Sequence, residues 1–156
     1  MNEASKYEIS ISRRFDAPRE LVYRAFVDPD QLCEWYGPDG FYVPCETVQI
    51  DARAGGFQRF VMENVEDPAG GRYQVEVTLS EVVENELLDG HQEVDRIGSA
   101  GPADRTRLRL EFAEEANGTT RLELRQGPFT DETGEDAMAR WESSFKNLDS
   151  LLRRSL

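Results

Sequence analysis

His91 is the only histidine of the chain, and with an ordinary pKa of about 6.5 it is the residue best suited to proton transfer at neutral pH. Glu63 and Arg125 are the other ionisable groups that a pocket could use, and all three are weak candidates. His91 reads equally well as an exposed or hydrogen-bonded residue at the start of a strand. Cys33 and Cys45 stand twelve positions apart with no second pair, so they do not supply the ligand spacing of a structural zinc site, and no metal is expected. No Gly-x-Ser-x-Gly elbow occurs, and Cys33 has no base near it in sequence, so covalent catalysis has no evident vehicle. Gly55-Gly56 and Gly70-Gly71 each lie between strands, without a following helix or a Gly-Lys-Ser/Thr. They read as turn glycines, not as a phosphate cradle, and no cofactor is expected.

What remains is aromatic. Trp35, Tyr36 and Phe41 fall where a short helix gives way to a loop. Phe60, Met62 and Tyr73 fall on strands, and Phe129, Met138, Trp141 and Phe145 lie near and on the last helix. These side chains could simply be core. They could also line a cavity, because Trp35, Tyr73 and Trp141 carry polar tips that a dry core must satisfy and a guest could use. Gln58 shares a face with Phe60 and Met62, and its amide needs a partner if buried. With Val75, His91, Phe112 and Leu124, these residues form the candidate ligand-pocket set.

The elements that would position them follow from periodicity. Tyr7 to Phe15 alternates apolar and polar residues, the mark of a strand with one buried face. Asp16-Ala17-Pro18 then opens a short helix carrying Leu21, Val22, Ala25 and Phe26 on one stripe. Asp28-Pro29 opens a second, which turns Leu32 and Trp35 inward before Gly37-Pro38 stops it. From Phe41 to Phe129 the pattern is almost all strand. Segments run over Thr47–Asp51, Phe57–Glu63 and Tyr73–Val82, with turns at Gly55-Gly56 and Asp67–Gly71. Asn85–Asp89 breaks the pattern, His91–Ile97 resumes it, and Gly98–Asp104 is a loop.

Leu108, Leu110 and Phe112 share one face of the next strand, and Thr120, Leu122 and Leu124 one face of the last. Pairing Leu110 with Leu122 sets Arg109 opposite Glu123 and Glu111 opposite Arg121, which fixes a register by charge. Thr133 and Asp136 have capping-box spacing. From there Met138, Trp141, Phe145, Leu148 and Leu152 recur at steps of three and four, forming one apolar stripe of a long helix.

Composition bounds the partners. The 156 residues suit one domain, residues 1–156, and 38% hydrophobic content supplies a core. The net charge of −13 repels phosphate backbones and anionic lipid, so neither nucleic acid nor a membrane surface is an expected partner. No apolar run approaches the roughly eighteen residues of a membrane span. The polar start, Met1 to Lys6, does not read as a leader. Two cysteines without a leader read as free thiols in a reducing cytoplasm.

Several stretches together resemble one family. Phe15-Asp16-Ala17-Pro18-Arg19-Glu20-Leu21-Val22-Tyr23 is similar to its opening "DAP.E.V" signature, and Trp35-Tyr36-Gly37-Pro38-Asp39-Gly40-Phe41 to its "WWGP.GF" motif. Ala54-Gly55-Gly56-Phe57 resembles its "PGG" turn, Thr119 to Leu122 its "TR" strand, and Trp141 to Leu148 its final helix. The family is similar to the activator of the heat-shock-90 chaperone ATPase, within the START-like (SRPBCC) superfamily. The resemblance spans about Tyr7 to Leu152. Tyr36 stands where a second Trp is usual, Ala54 where Pro is common, and Arg140 where Gly often precedes the helix Trp, changes expected to alter cavity shape.

The resemblance implies an α+β helix-grip fold. Its order is a strand, two short helices, a curved antiparallel sheet of about six further strands, and a long C-terminal helix over an internal cavity. Three functions follow as expectations. The first is non-catalytic binding of a small hydrophobic or aromatic molecule. The second is a polyketide cyclase/dehydratase-like or hydrolase-like activity, which needs an ionisable group facing the pocket. The third is contact with a chaperone ATPase, and a homodimer is a further possible assembly. One scaffold hosts all of these activities, so the fold alone does not choose.

Overall fold

The computed structural model describes residues 7–67, 71–98 and 104–155. The polar start at 1–6, the middle of the 67–71 turn and most of the 98–104 loop lie outside the described residues. Among those residues, eight antiparallel strands form one curled sheet in the order β1-β8-β7-β6-β5-β4-β2, with β3 also paired to β4. The strands are β1 (Tyr7–Phe15), β2 (Phe41–Tyr42), β3 (Gln49–Asp51), β4 (Phe57–Asn64), β5 (Arg72–Val83), β6 (Leu87–Arg96), β7 (Asp104–Glu115) and β8 (Thr119–Phe129). Helices α1 (Arg19–Val27) and α2 (Pro29–Trp35) follow β1, and α3 (Asp131–Ser155) closes the chain. This is the helix-grip fold, with α3 lying across the hollow of the sheet.

Curvature has local causes. β5 carries a register shift between Leu79 and Glu81, opposite Gly90 and Asp89 of β6. A Cβ on Gly90 would stand 2.0 Å from the Thr78 carbonyl oxygen, so only glycine lets β5 cross this closely. A break expected over Asn85–Asp89 is in fact confined to a tight turn. Asn85 takes φ +66° there, and β6 resumes at Leu87.

Two expectations about the C-terminal elements are corrected. In the β7–β8 hairpin Leu110 pairs with Leu124, not Leu122, which sets Arg109 opposite Arg125 and Glu111 opposite Glu123. The turn decides this. Asn117 and Gly118 adopt φ +65° and +71°, which closes Glu115 against Thr119. Most of the outer charges then find partners elsewhere. Arg109 donates to Asp89 at 2.6 Å and Glu111 at 2.7 Å, Arg121 reaches Glu115 at 2.6 Å, and Glu123 accepts from the Ser12 hydroxyl at 2.9 Å. Opposed pairs worth a few tenths of a kcal/mol do not override a turn.

The cap of α3 also lies earlier than the Thr133–Asp136 spacing suggests. The Thr133 amide donates to the Thr130 hydroxyl at 3.3 Å, and the Thr130 amide to the Thr133 hydroxyl at 3.0 Å. The two threonines thus satisfy one another's free amides at the helix start.

The core gathers at the C-terminal half of α3. Phe15, Leu122, Phe145 and Leu148 are fully buried, and Phe15 meets Phe145 edge to face at 5.6 Å. Arg13 clamps this end. Its guanidinium lies 5.2 Å from the Phe15 ring and 5.7 Å from the Phe145 ring, and it pairs with Asp149 and, at 3.7 Å, with Glu142.

The cysteines are not free. Cys33 of α2 and Cys45 of the short 3₁₀ turn Cys45–Thr47 form a disulfide, with Cα atoms 5.1 Å apart. The turn after α2 brings the two together, which their spacing alone did not reveal. Free thiols, the ground for expecting a reducing compartment, are therefore absent. Among the described residues, no helix is long and apolar enough to cross a membrane.

Candidate functional site: a cleft under the first half of the closing helix

Along α3 the residues turned to the sheet change size. From Trp141 onward they are large, namely Phe145, Leu148, Leu151 and Leu152. Before it they are small: Gly134 and Ala137 are buried, Thr133 is exposed at the border of the space, and Ser144 stands beside Phe145. Small side chains on a helix over a concave sheet leave space. A partly open cleft of about 430 Å³ lies here. Tyr36, Pro38 and Phe41 form one wall, and Met62, Tyr73, Val75 and Val94 a second. Pro128, Phe129 and α3 form the third, while Asp104, Arg105, Asp136 and Arg140 also border the space.

Between these apolar walls runs a buried polar chain. Trp141 Nε1 donates to Gln126 Oε1 at 2.8 Å. Gln126 Nε2 donates to Gln92 Oε1 at 2.8 Å and to the Thr106 hydroxyl oxygen at 2.9 Å. Gln92 Nε2 reaches the Tyr36 hydroxyl at 3.5 Å, the longest link. All five residues line the cleft. Burial pushes the Tyr36 phenol up to about 12, against smaller downward effects of the Gln92 hydrogen bond and the Arg140 charge. Tyr36 is therefore a neutral hydrogen-bond donor across the physiological range.

The candidate pocket residues divide in two. Tyr36, Phe41, Met62, Tyr73, Val75, Phe129 and Trp141 stand together on the cleft. Trp35, Gln58, Phe60, Phe112, Leu124 and Phe145 are buried elsewhere in the core. Trp35 and Gln58 hold the C-terminal end of α1: Trp35 Nε1 donates to the Ala25 carbonyl at 2.7 Å, and Gln58 Nε2 to that of Phe26 at 2.6 Å. Their polar tips satisfy helix-end carbonyls that would otherwise lack partners. Phe112 packs edge to face on Tyr23 and Phe26. Phe60 packs behind Tyr36 at 4.7 Å. Met138 is 39% exposed, because the buried stripe runs through its neighbour Ala137.

His91 lies on the outer face of the sheet, opposite Thr78 and Arg107. Glu63 and Arg125 also point outward; Glu63 pairs with Arg72 at 3.7 Å, and Arg125 borders a small hollow with Glu8, Arg107 and Arg109. On that face Asp89 is buried under two arginines. Burial pushes its carboxyl up, but hydrogen bonds from Arg107 and Arg109 outweigh this and hold it below the usual range. Sequence reasoning missed Gln92, Thr106 and Gln126, each an inward polar residue on a strand. Their one available signal was a break in the apolar run of an inner face. Among the described residues, no group of three or more His, Cys, Asp or Glu is placed to hold a metal ion.

Comparison with known proteins fits this architecture. The family described as "Activator of Hsp90 ATPase homolog 1-like protein" matches residues 16–153. The chain belongs to that family. A solved structure from Chromobacterium violaceum superimposes with a TM-score of 0.78 at 28% identity, covering 93% of this chain and 96% of that one. The AHSA1 protein from Silicibacter pomeroyi gives 0.80 at 22% identity, covering 96% and 100%. CalU16 from Micromonospora echinospora gives 0.65 at 19% identity, covering 94% and 76%. The last two likenesses concern the fold alone. No curated protein matches the chain. Of the departures from the family pattern, Tyr36 and Arg140 both border the cleft, whereas Ala54 does not.

Proposed function

We propose that this chain is a non-catalytic binding protein that holds a small hydrophobic or aromatic molecule in the cleft under the first half of α3. The observation that carries the reading is the cleft itself. It offers about 430 Å³ beside Phe41, Met62, Tyr73 and Phe129, with the buried polar chain and several charged residues also on its lining. Apolar walls supply affinity at roughly 25 cal/mol per Å² of surface removed from water, and a few fixed polar groups orient the guest. A micromolar complex needs about 8 kcal/mol net, within reach of a guest that buries most of its surface.

The three ionisable groups proposed for the enzymatic reading, His91, Glu63 and Arg125, face away from the cleft. Contact with a chaperone ATPase rests on the family description, and no feature of the cleft adds to it.

Anilinonaphthalene sulfonate fluorescence tests the binding reading. Saturable one-to-one binding is expected, and it should weaken at least about tenfold in Ala137→Leu, whose larger side chain fills the cleft. Absent or non-saturable binding, or binding unchanged by Ala137→Leu, would overturn it.

A further inference from the structure

The polar chain at the cleft wall has a direction, and that direction selects the guest. An indole N–H only donates, so Trp141 fixes the Gln126 amide with its oxygen toward the indole, at 2.8 Å. The Gln126 NH₂ must then face Gln92 and Thr106, and both must accept from it, at 2.8 and 2.9 Å. Gln92 is thereby fixed with its oxygen toward Gln126 and its NH₂ toward Tyr36. Each link leaves a donor at the far end. The Tyr36 and Thr106 hydroxyls accept within the chain and donate to no described residue, and Gln92 keeps a second N–H.

Gln92 is 7% exposed and Thr106 8%, while Tyr36 is half-buried, so these three donors meet solvent only through the cleft. A buried donor without an acceptor is costly, which makes an acceptor from a guest valuable. Resting on the binding function proposed above, we infer that the guest is a hydrophobic molecule carrying a carbonyl-type oxygen, an acceptor without a hydrogen of its own. Its oxygen lies between the Tyr36 hydroxyl, the Thr106 hydroxyl and the Gln92 amide. Its apolar body rests against Phe41, Met62 and Phe129. The 3.5 Å separation of Gln92 and Tyr36 leaves both free to turn toward that oxygen.

Two probes of one shape test this by calorimetric titration of the unmodified protein. 2-Acetylnaphthalene carries a ketone oxygen where 2-isopropenylnaphthalene carries a methylene. The ketone should bind about tenfold more tightly. In Gln92→Glu the new carboxylate accepts from both Gln126 and Tyr36, engaging the phenolic hydrogen, so the ratio should fall to about threefold or less. Tyr36→Phe, which adds no buried charge, should also lower the ratio. Equal affinity for the two probes in the unmodified protein would overturn the selection for an oxygen while leaving the binding function intact. Failure of both probes and of the fluorescent naphthalene sulfonate to bind would overturn both.

Discussion

The two tryptophans of this chain mark two regions built from the same parts with opposite outcomes. Trp35 lies in the closed half, 1% exposed, with its indole N–H on the Ala25 carbonyl and its ring near Phe26, Tyr36 and Phe145. Trp141 lies where the other half begins, with one side stacked on Phe145 at 5.5 Å and another on the cleft. Both regions have a strand floor and a helical roof. They differ in what the roof presents: Phe145, Leu148, Leu151 and Leu152 on one side, and Ala137 with the exposed Thr133 at the rim on the other. A helix grips where its residues are large and leaves a site where they are small.

Substitutions that exchange the two characters sharpen this contrast, beginning with the closed half. Phe145→Ala should cost about 3–5 kcal/mol of stability in urea unfolding, because the ring is fully buried among Phe15, Trp35 and Trp141. Loss of the Cys33–Cys45 bridge, by reduction or by Cys33→Ser, should cost about 2–3 kcal/mol through the loop it closes. Tested the same way, Ala137→Leu should change stability by less than about 1 kcal/mol, since it grows into space that is already there. A large loss there would mean that the cleft half is packed like the other.

The smallest effect concerns the outer face. The Asp89 carboxyl is held low by Arg107 and Arg109, so its contribution is present above the unfolded-state pKa and fades as pH falls through the lower folded value. Unfolding measured between about pH 5 and 2 should therefore depend less steeply on pH in Asp89→Asn than in the unmodified protein. Equal slopes would show that the two arginines do not stabilise the ionised carboxyl.

The architecture was legible because each element carries its own period. Ile9, Ile11 and Phe15 alternate on β1, Val75, Val77 and Leu79 on β5, and the α3 stripe steps by three and four. Register was not, because a three-residue turn with two positive φ angles outweighs facing charges, and a charge pattern does not reveal how the turn closes. The site was half legible. Aromatic type marked Tyr36, Phe41, Tyr73 and Trp141, but type alone does not separate a tip that meets a guest from one that meets a helix carbonyl, as with Trp35 and Gln58. The size step along α3 was present in the sequence as Gly134 and Ala137 before Phe145, Leu148 and Leu151. Reading it requires knowing which face of the helix meets the sheet.

The two indole N–H groups turn the comparison into one experiment. In a ¹H–¹⁵N spectrum of the protein titrated with 2-acetylnaphthalene, the Trp141 indole signal should shift and saturate at one equivalent, while that of Trp35 stays in place. Equal movement of both signals, or movement of Trp35 alone, would contradict a closed half and an open half. So would no movement of either at saturating probe.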